Sequence, residues 1–327
     1  MDGPGDARMA ARPPAAPPPG KMQPMGLTVH LVDGTYELFR HHYGVPGAVR
    51  ATAPRIAGTR GVLWSVLTLL EEGATHVGVA TDHVIESFRN ELWAGYKDGS
   101  GVEPDLLAQF PLLEESLEAM GVRVWAMVDV EADDALASAA LVAADDPAVQ
   151  QVVICTPDKD LGQCVVGDRV VQLDRRRQVV LDEAAVVARY GVRPESIPDW
   201  LALVGDSADG FPGLKGWGST AASTVLGRYP HIEDIPRLAE RWDVAVRGAR
   251  GLANTLAENL DLALLFRHLA TLRVDRSLLA SVDDLRWTGP TPAFAGVCEH
   301  LRAPGLLDRA ETAATTRSPP TPGAGPE

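Results

Sequence analysis

The chain has 327 residues, 46% of them hydrophobic, with a formal net charge of −14. That is enough apolar material for one large domain or two smaller ones, and no run of eighteen apolar residues or signal-peptide pattern occurs, so a cytoplasmic protein without a membrane span is expected. The three cysteines, Cys155, Cys164 and Cys298, form neither an even framework nor metal-ligand spacing, which fits a reducing compartment and no structural zinc.

Residues 1–25 are rich in Pro, Ala and Gly and are expected to be a disordered tail, with Met22 and Met25 as candidate starts. Residues 28–32 read as a first strand that ends at Asp33-Gly34. A helix over 59–72, with apolar residues at 62, 63, 66, 67, 69 and 70, stops before Gly73, and a second strand over 76–80 leads into Thr81-Asp82. This is a βαβ unit with a carboxylate after each strand. Residues 86–105 are polar and strand-free, and a loop of that length inside a domain is usually functional.

A helix over 106–120, a third strand over 122–127 and a small-residue helix over 131–144 follow. The apolar run Val152, Val153, Ile154, Cys155 is a fourth, buried strand that leads into Thr156-Pro157-Asp158-Lys159-Asp160. Residues 170–173 and 179–181 read as a hairpin whose basic tip, Arg175-Arg176-Arg177, is taken as a solvated turn. From residue 182 the pattern changes to helices over 182–190, 194–204, 218–229, 232–242 and 252–272, with a boundary near 190. The fold class is therefore α/β, a mostly parallel sheet flanked by helices and followed by a helical part. A disordered tail closes the chain at 309–327.

Asp33, Asp82, Glu131, Asp133, Asp134, Asp158 and Asp160 all fall at strand ends or in a first helical turn. Carboxyl ends of strands are where open α/β sheets place their chemistry. So many carboxylates in one cleft repel one another unless cations hold them, and hard oxygen ligands suit Mg²⁺ or Mn²⁺. Two such ions about 4 Å apart can activate water and stabilise a leaving oxygen, which points to hydrolysis of a phosphodiester. The net acidity argues at first sight against a nucleic-acid partner, but bound metals invert the local sign. Three of the four lysines, Lys97, Lys159 and Lys215, lie in the segments singled out here.

The helical part carries Gly205-Asp206-Ser207-Ala208-Asp209-Gly210-Phe211-Pro212-Gly213-Leu214-Lys215-Gly216-Trp217-Gly218-Ser219-Thr220-Ala221. Its glycines before a helix form a turn whose backbone N–H groups can face a phosphate. Asp206 and Asp209 bring the acids to nine.

Taken together, Val32-Asp33-Gly34, Ser87-Phe88-Arg89 with Gly95-Tyr96-Lys97, Glu131-Ala132-Asp133-Asp134, Thr156-Pro157-Asp158-Lys159-Asp160-Leu161 and the 205–221 run resemble the 5′ nucleases. These comprise the 5′-3′ exonuclease domain of bacterial DNA polymerase I, phage exonucleases and flap endonucleases. The resemblance covers roughly residues 27–280 and implies a PIN-like domain over 26–190, with a helical arch at about 86–112, and a helix-hairpin-helix subdomain over 191–308. It implies a metal-dependent 5′-3′ exonuclease or 5′ flap endonuclease of replication and repair. The expected substrates are DNA with flaps, nicks or 5′ ends, and RNA–DNA hybrids.

The nine acids match the family's metal-site acids, with Asp33 and Asp133 in the catalytic set alongside Arg89 and Lys97. Arg89, Tyr96, Lys97, Gly213, Lys215, Gly216, Gly218, Ser219 and Thr220 are implied DNA contacts, K⁺ is implied at the hairpin turn, and a monomer is expected. The roughly fifty residues after Asp275 leave no room for a second large domain, so the free-standing form is expected.

Departures from the family pattern are Thr81 before Asp82, Gly99-Ser100 where a basic residue is usual, Gly210 for Asn, Trp217 for an aliphatic residue and Ser219 for Lys. None touches a metal-site acid. The alternative they raise is a catalytically weak or inactive member acting as a structure-specific DNA-binding protein. A PIN-type ribonuclease is disfavoured by the hairpin module.

Overall fold

A computed structural model describes residues 26–44, 46–47 and 52–317. Strand β1 (Leu27–Asp33) carries Val29, Leu31 and Val32 with no exposure and runs through the middle of the sheet. Helix α1 (Gly34–Gly44) starts at once, which glycine permits: a Cβ on Gly34 would lie 2.8 Å from the Ala80 carbonyl oxygen. The sequence pattern hid this helix because its buried face carries Glu37 and His42 beside Leu38.

Helix α2 (Ala57–Glu71) and strand β2 (His76–Asp82) follow. The segment read as a long polar loop instead contains α3 (Phe88–Leu92), a 3-10 turn at Gly99–Gly101 and α4 (Pro104–Leu107), before α5 (Gln109–Ala119). Strand β3 (Arg123–Met127), helix α6 (Ala132–Asp145), strands β4 (Val149–Cys155), β5 (Val170–Asp174) and β6 (Val179–Leu181) complete the α/β domain.

Among the described residues these strands form one six-stranded sheet in the order β3-β2-β1-β4-β5-β6. All neighbours are parallel except β5 and β6. The chain order reverses between β1 and β4, and such a switch point opens a crevice beyond the carboxyl ends of the strands. The alanines of α6 (Ala135, Ala139, Ala140, Ala143) are buried against one face, and α1, α2 and α5 cover the other.

The helical part contains α7 (Glu183–Tyr190), α8 (Ile197–Val204), α9 (Ser219–Leu226), α10 (Ala249–Glu258) and α11 (Leu260–Ala270). The expected helix over 232–242 is only two 3-10 turns, Ile232–Asp234 and Ala239–Arg241, with Pro236 between them. The expected helix over 252–272 divides at Asn259, whose φ of −125° leaves the helical region.

Helices α12 (Phe294–His300) and α13 (Gly305–Arg317) correct two expected boundaries. Residues 309–317 are helical rather than a disordered tail: Leu306, Ala310 and Ala313 recur at helical spacing and are buried, and Arg309 pairs with Glu71 and lies over Trp64. Small alanines among threonines gave that face too little hydrophobicity to show in the sequence. The stretch from Trp287 onward, placed with the helical subdomain, packs on the first domain instead. The Trp287 N–H donates to the Thr75 carbonyl at 2.9 Å, and Phe294, Cys298 and Leu301 join its core.

The tail expected over 1–25, with Met22 and Met25, lies outside the described residues, as does 318–327. Among the described residues, no helix is long and apolar enough to cross a membrane.

Candidate metal centre

The crevice at the switch point is rimmed by the acids that end the strands. Asp33 closes β1; its Oδ1 accepts the Tyr36 N–H and its Oδ2 the Thr156 hydroxyl, both at 2.8 Å. Burial, reinforced by the charges of Asp82 and Asp158, pushes its carboxyl up to about 7. Asp82 closes β2, and its Oδ1 accepts the Ala132 N–H at 2.7 Å, at the start of α6. Asp133, in that first turn, is held well above the carboxylate range by burial and by Asp158 and Asp33. Asp158 is exposed at the mouth.

On the arch side the acids are saturated. Glu131 Oε1 accepts from the Ser87 hydroxyl at 2.8 Å and Arg89 Nη1 at 3.1 Å. Its Oε2 accepts from the Tyr96 hydroxyl at 3.3 Å and lies 2.7 Å from Lys97 Nζ. Burial would raise Glu131, but Lys97 and Arg89 outweigh it and hold the group low.

Asp134 was expected among the metal acids. Instead its Oδ1 accepts from Arg89 Nη2 and the Arg273 N–H, each at 2.8 Å, and its Oδ2 from Arg89 Nη1 at 2.8 Å and the Glu131 N–H at 2.9 Å. No lone pair remains for a cation. Arg89 and Tyr96, expected as DNA contacts, are 1% and 5% exposed and face these acids. Lys97 remains partly open and also lies 3.0 Å from Asp209 Oδ1.

The opposite side is built differently. One oxygen each of Asp160, Asp206 and Asp209 come within 4.8 Å of one another, all three residues buried. The chain delivers them from the turn after β4 and from the loop after α8, where the Asp206 N–H bonds to the Phe211 carbonyl at 2.8 Å and Asp206 Oδ1 accepts the Ala208 N–H at 2.9 Å. Asp160 Oδ1 is buried with no hydrogen-bond partner. An orphaned carboxylate oxygen among two other carboxylates is costly unless a cation sits there, and an all-oxygen set of this kind suits a hard divalent ion. Burial and the neighbouring charges of Asp158, Asp209 and Asp206 push Asp160 well above its ordinary range.

Lys159, not singled out for a role from the sequence, pairs with Asp206 in this cluster. Thr156 was likewise missed: its hydroxyl fixes Asp33 and accepts the Asp158 N–H at 3.2 Å. Only its place at a strand end could have marked it.

Of the hairpin-turn residues, Lys215, Gly216, Gly218, Ser219 and Thr220 are exposed, the last two opening α9. Gly213 is buried at φ +67°, with a would-be Cβ 2.3 Å from the Gly205 nitrogen, so it shapes the turn from within. Trp217 fits its departure from an aliphatic residue by packing on Trp242 and donating to the Leu252 carbonyl at 3.3 Å. Arg175 of the basic hairpin tip is tied to Ser65, with Nη1 2.9 Å from its hydroxyl.

Family models match nearly the whole described chain. The N-terminal resolvase-like domain of 5′-3′ exonucleases matches residues 28–191 and their C-terminal SAM fold residues 192–293. The chain is similar to DNA polymerase I of Pseudomonas aeruginosa, 34% identical over 267 residues, which cover 78% of this chain and 28% of that protein. It is also similar to a 5′-3′ exonuclease of Aquifex aeolicus, 28% identical over 80% of this chain and 88% of that one. The chain thus spans little more than a quarter of the polymerase relative.

Among solved structures, the T5 5′-exonuclease with divalent zinc bound superposes with a TM-score of 0.59 at 16% identity, over 88% of this chain and 98% of that one. The catalytic core of Rad2 in complex with DNA substrate gives 0.59 at 15%, over 88% and 92%. These two support the shared fold. The chain belongs to the 5′-3′ exonuclease family and carries both its resolvase-like and its SAM-fold domain.

Proposed function

We propose that this chain is a divalent-metal-dependent 5′ nuclease that hydrolyses phosphodiester bonds in DNA at flaps, nicks or 5′ ends, RNA-primed strands included, in replication and repair. The observation that carries this reading is the meeting of Asp160, Asp206 and Asp209 around an orphaned Asp160 oxygen, in the cleft that also holds Asp33 and Asp82 at the strand ends, Asp133 in the first turn of α6 and Asp158 beyond β4. Mg²⁺ or Mn²⁺ bound by these oxygens would supply the Lewis acidity that activates water and stabilises the leaving oxygen.

The protein's own part is placement. Thr156 and the Tyr36 N–H fix Asp33, the loop after α8 fixes Asp206, and Lys97 stands between the two halves of the cleft with its ammonium partly open to a phosphate. The exposed turn around Gly216 and Gly218, with Lys215, is the expected grip on the duplex, with K⁺ bound at its carbonyls. A monomer in the cytoplasm completes the reading.

Asp160→Asn tests it. DNA affinity for a 5′ flap in Ca²⁺ should be retained, while cleavage in Mg²⁺ falls by more than about 100-fold, since even groups behind the ligands cost up to that much. Undiminished cleavage would remove Asp160 from the metal centre. If the unaltered protein binds flaps yet leaves them intact in Mg²⁺ and Mn²⁺, the reading becomes a structure-specific DNA-binding protein. The ammonium groups of Lys97 and Lys159 already lying among the acids favour that second reading.

A further inference from the structure

Arg89 has no N–H left for a nucleic acid. Its Nε donates to the Leu269 carbonyl at 2.8 Å; Nη1 donates to Glu131 and Asp134; and Nη2 donates to Asp134 and, at 3.2 Å, to the Thr271 carbonyl. A guanidinium has five N–H donors, and all five are spent in a site where the residue is 1% exposed.

The partners come from three parts of the molecule. Ser87 and Arg89 belong to α3 at the foot of the arch, Glu131 and Asp134 to the start of α6, and Leu269 and Thr271 to the end of α11, where carbonyls lack helical partners. The bidentate pair with Asp134, at 2.8 Å on both arms, needs the planar fork of arginine; an ammonium cannot copy it.

One consequence reaches the cleft. With Glu131 Oε1 fixed by Arg89 and Ser87, Oε2 is turned toward Tyr96 and Lys97, and Lys97 is held between Glu131 and Asp209. The arch foot, the end of α11 and, through Glu131, Lys97 are all tied to one buried cation.

We propose that Arg89 is a positioning residue, a three-way tie that aims Lys97 into the cleft, and not a contact to the nucleic acid. Only the kinetic arm of its test rests on the nuclease reading. The first measurement uses the unaltered full chain, free and bound to 5′-flap DNA in Ca²⁺, treated with phenylglyoxal and mapped by peptide mass. Arg89 should stay unmodified in both states while the exposed Arg176 and Arg177 react. Modification of Arg89 in the free protein together with protection by DNA would overturn the proposal.

The second uses Arg89→Lys. Its salt dependence of flap binding should match the unaltered protein, Lys97 should be labelled faster by an amine reagent, and kcat should fall with little change in KM. A phosphate contact, which the lysine ammonium would keep, would instead leave Lys97 labelling and kcat unchanged, and that result would also overturn the proposal. If Arg89→Lys does not fold, the mapping of the unaltered chain decides. Mapping and labelling need no cleavage, so an inactive nuclease and a wrong assignment of Arg89 give different results.

Discussion

The two halves of the acid cleft hold the same residue type in opposite states. On the arch side, each oxygen of Glu131 and Asp134 meets at least one donor, supplied by Arg89, Lys97, Ser87, Tyr96 and two backbone N–H groups. On the helical side, among the described residues, Asp160 keeps a buried oxygen with no partner, and Lys159 and Lys97 are the ammonium groups paired with the three carboxylates. A buried charge must be paired, neutralised or given a metal, and the cation deficit lies on the helical side. A carboxylate's place in a motif does not decide between ligand and scaffold; the number of donors already aimed at it does.

The strongest attempt to break this contrast compares Asp134→Asn with Asp160→Asn in the presence of chelator. Asp134→Asn leaves the Arg89 guanidinium under-compensated in a dry site and should cost about 3–5 kcal/mol in a denaturant titration. Asp160→Asn removes an unpaired buried charge and should leave stability equal or higher. Equal losses in both variants would mean that the halves do not differ.

A pH series in chelator sharpens the contrast. Burial and the charges of Asp82 and Asp158 raise Asp33 to about 7, so between its ordinary 3.8 and about 7 the folded state binds more protons than the unfolded one, and stability falls as pH rises through that window. Glu131 has the opposite sign: burial raises it, yet Lys97 and Arg89 win and hold it low, so its contribution is present above its ordinary 4.5 and is lost as pH falls below that. Asp33→Asn should flatten the decline between pH 4 and 7, where one group contributes at most about 1.4 kcal/mol per pH unit. Glu131→Gln should cost more at pH 7 than at pH 3. A decline untouched by Asp33→Asn would move the raised group elsewhere.

Much of this centre is legible in the sequence, because β1, β2 and β4 each carry a cluster of apolar residues and acids stand at or just beyond their carboxyl ends. What stays hidden depends on partners far along the chain. Nothing in Glu131-Ala132-Asp133-Asp134 separates Asp134 from Asp133 until Arg89, 45 residues earlier, claims both of its oxygens. Helix α1 escapes notice because its inner face holds Glu37 and His42, and α13 because alanine carries its buried stripe. Arg89 shows the converse: a basic residue in a polar segment reads as a phosphate contact, and only its burial reassigns it.

The seam between the halves gives the smallest test. Gly210 stands at φ +83°, and a Cβ there would lie 2.0 Å from the Gly95 carbonyl oxygen of the arch foot. Two bonds cross beside it: the Lys97 N–H donates to the Asp209 carbonyl at 3.0 Å and Trp93 Nε1 to the Gly210 carbonyl at 3.1 Å. Asn, the usual family residue, tolerates the positive φ but not the approach of Gly95. Gly210→Asn should therefore push the arch foot off the loop, cost about 1–3 kcal/mol by overpacking, and speed tryptic cleavage after Lys97. Gly95→Ala should be milder, since its Cβ would meet the Trp93 indole nitrogen at 2.8 Å, a side chain that can move, and the Gly210 carbonyl only at 3.2 Å. If Gly210→Asn leaves both stability and cleavage unchanged, the close approach of Gly95 and Gly210 does not clamp the arch foot, and the Arg89 ties to α11 and the Lys97–Asp209 pair hold it to the helical half instead.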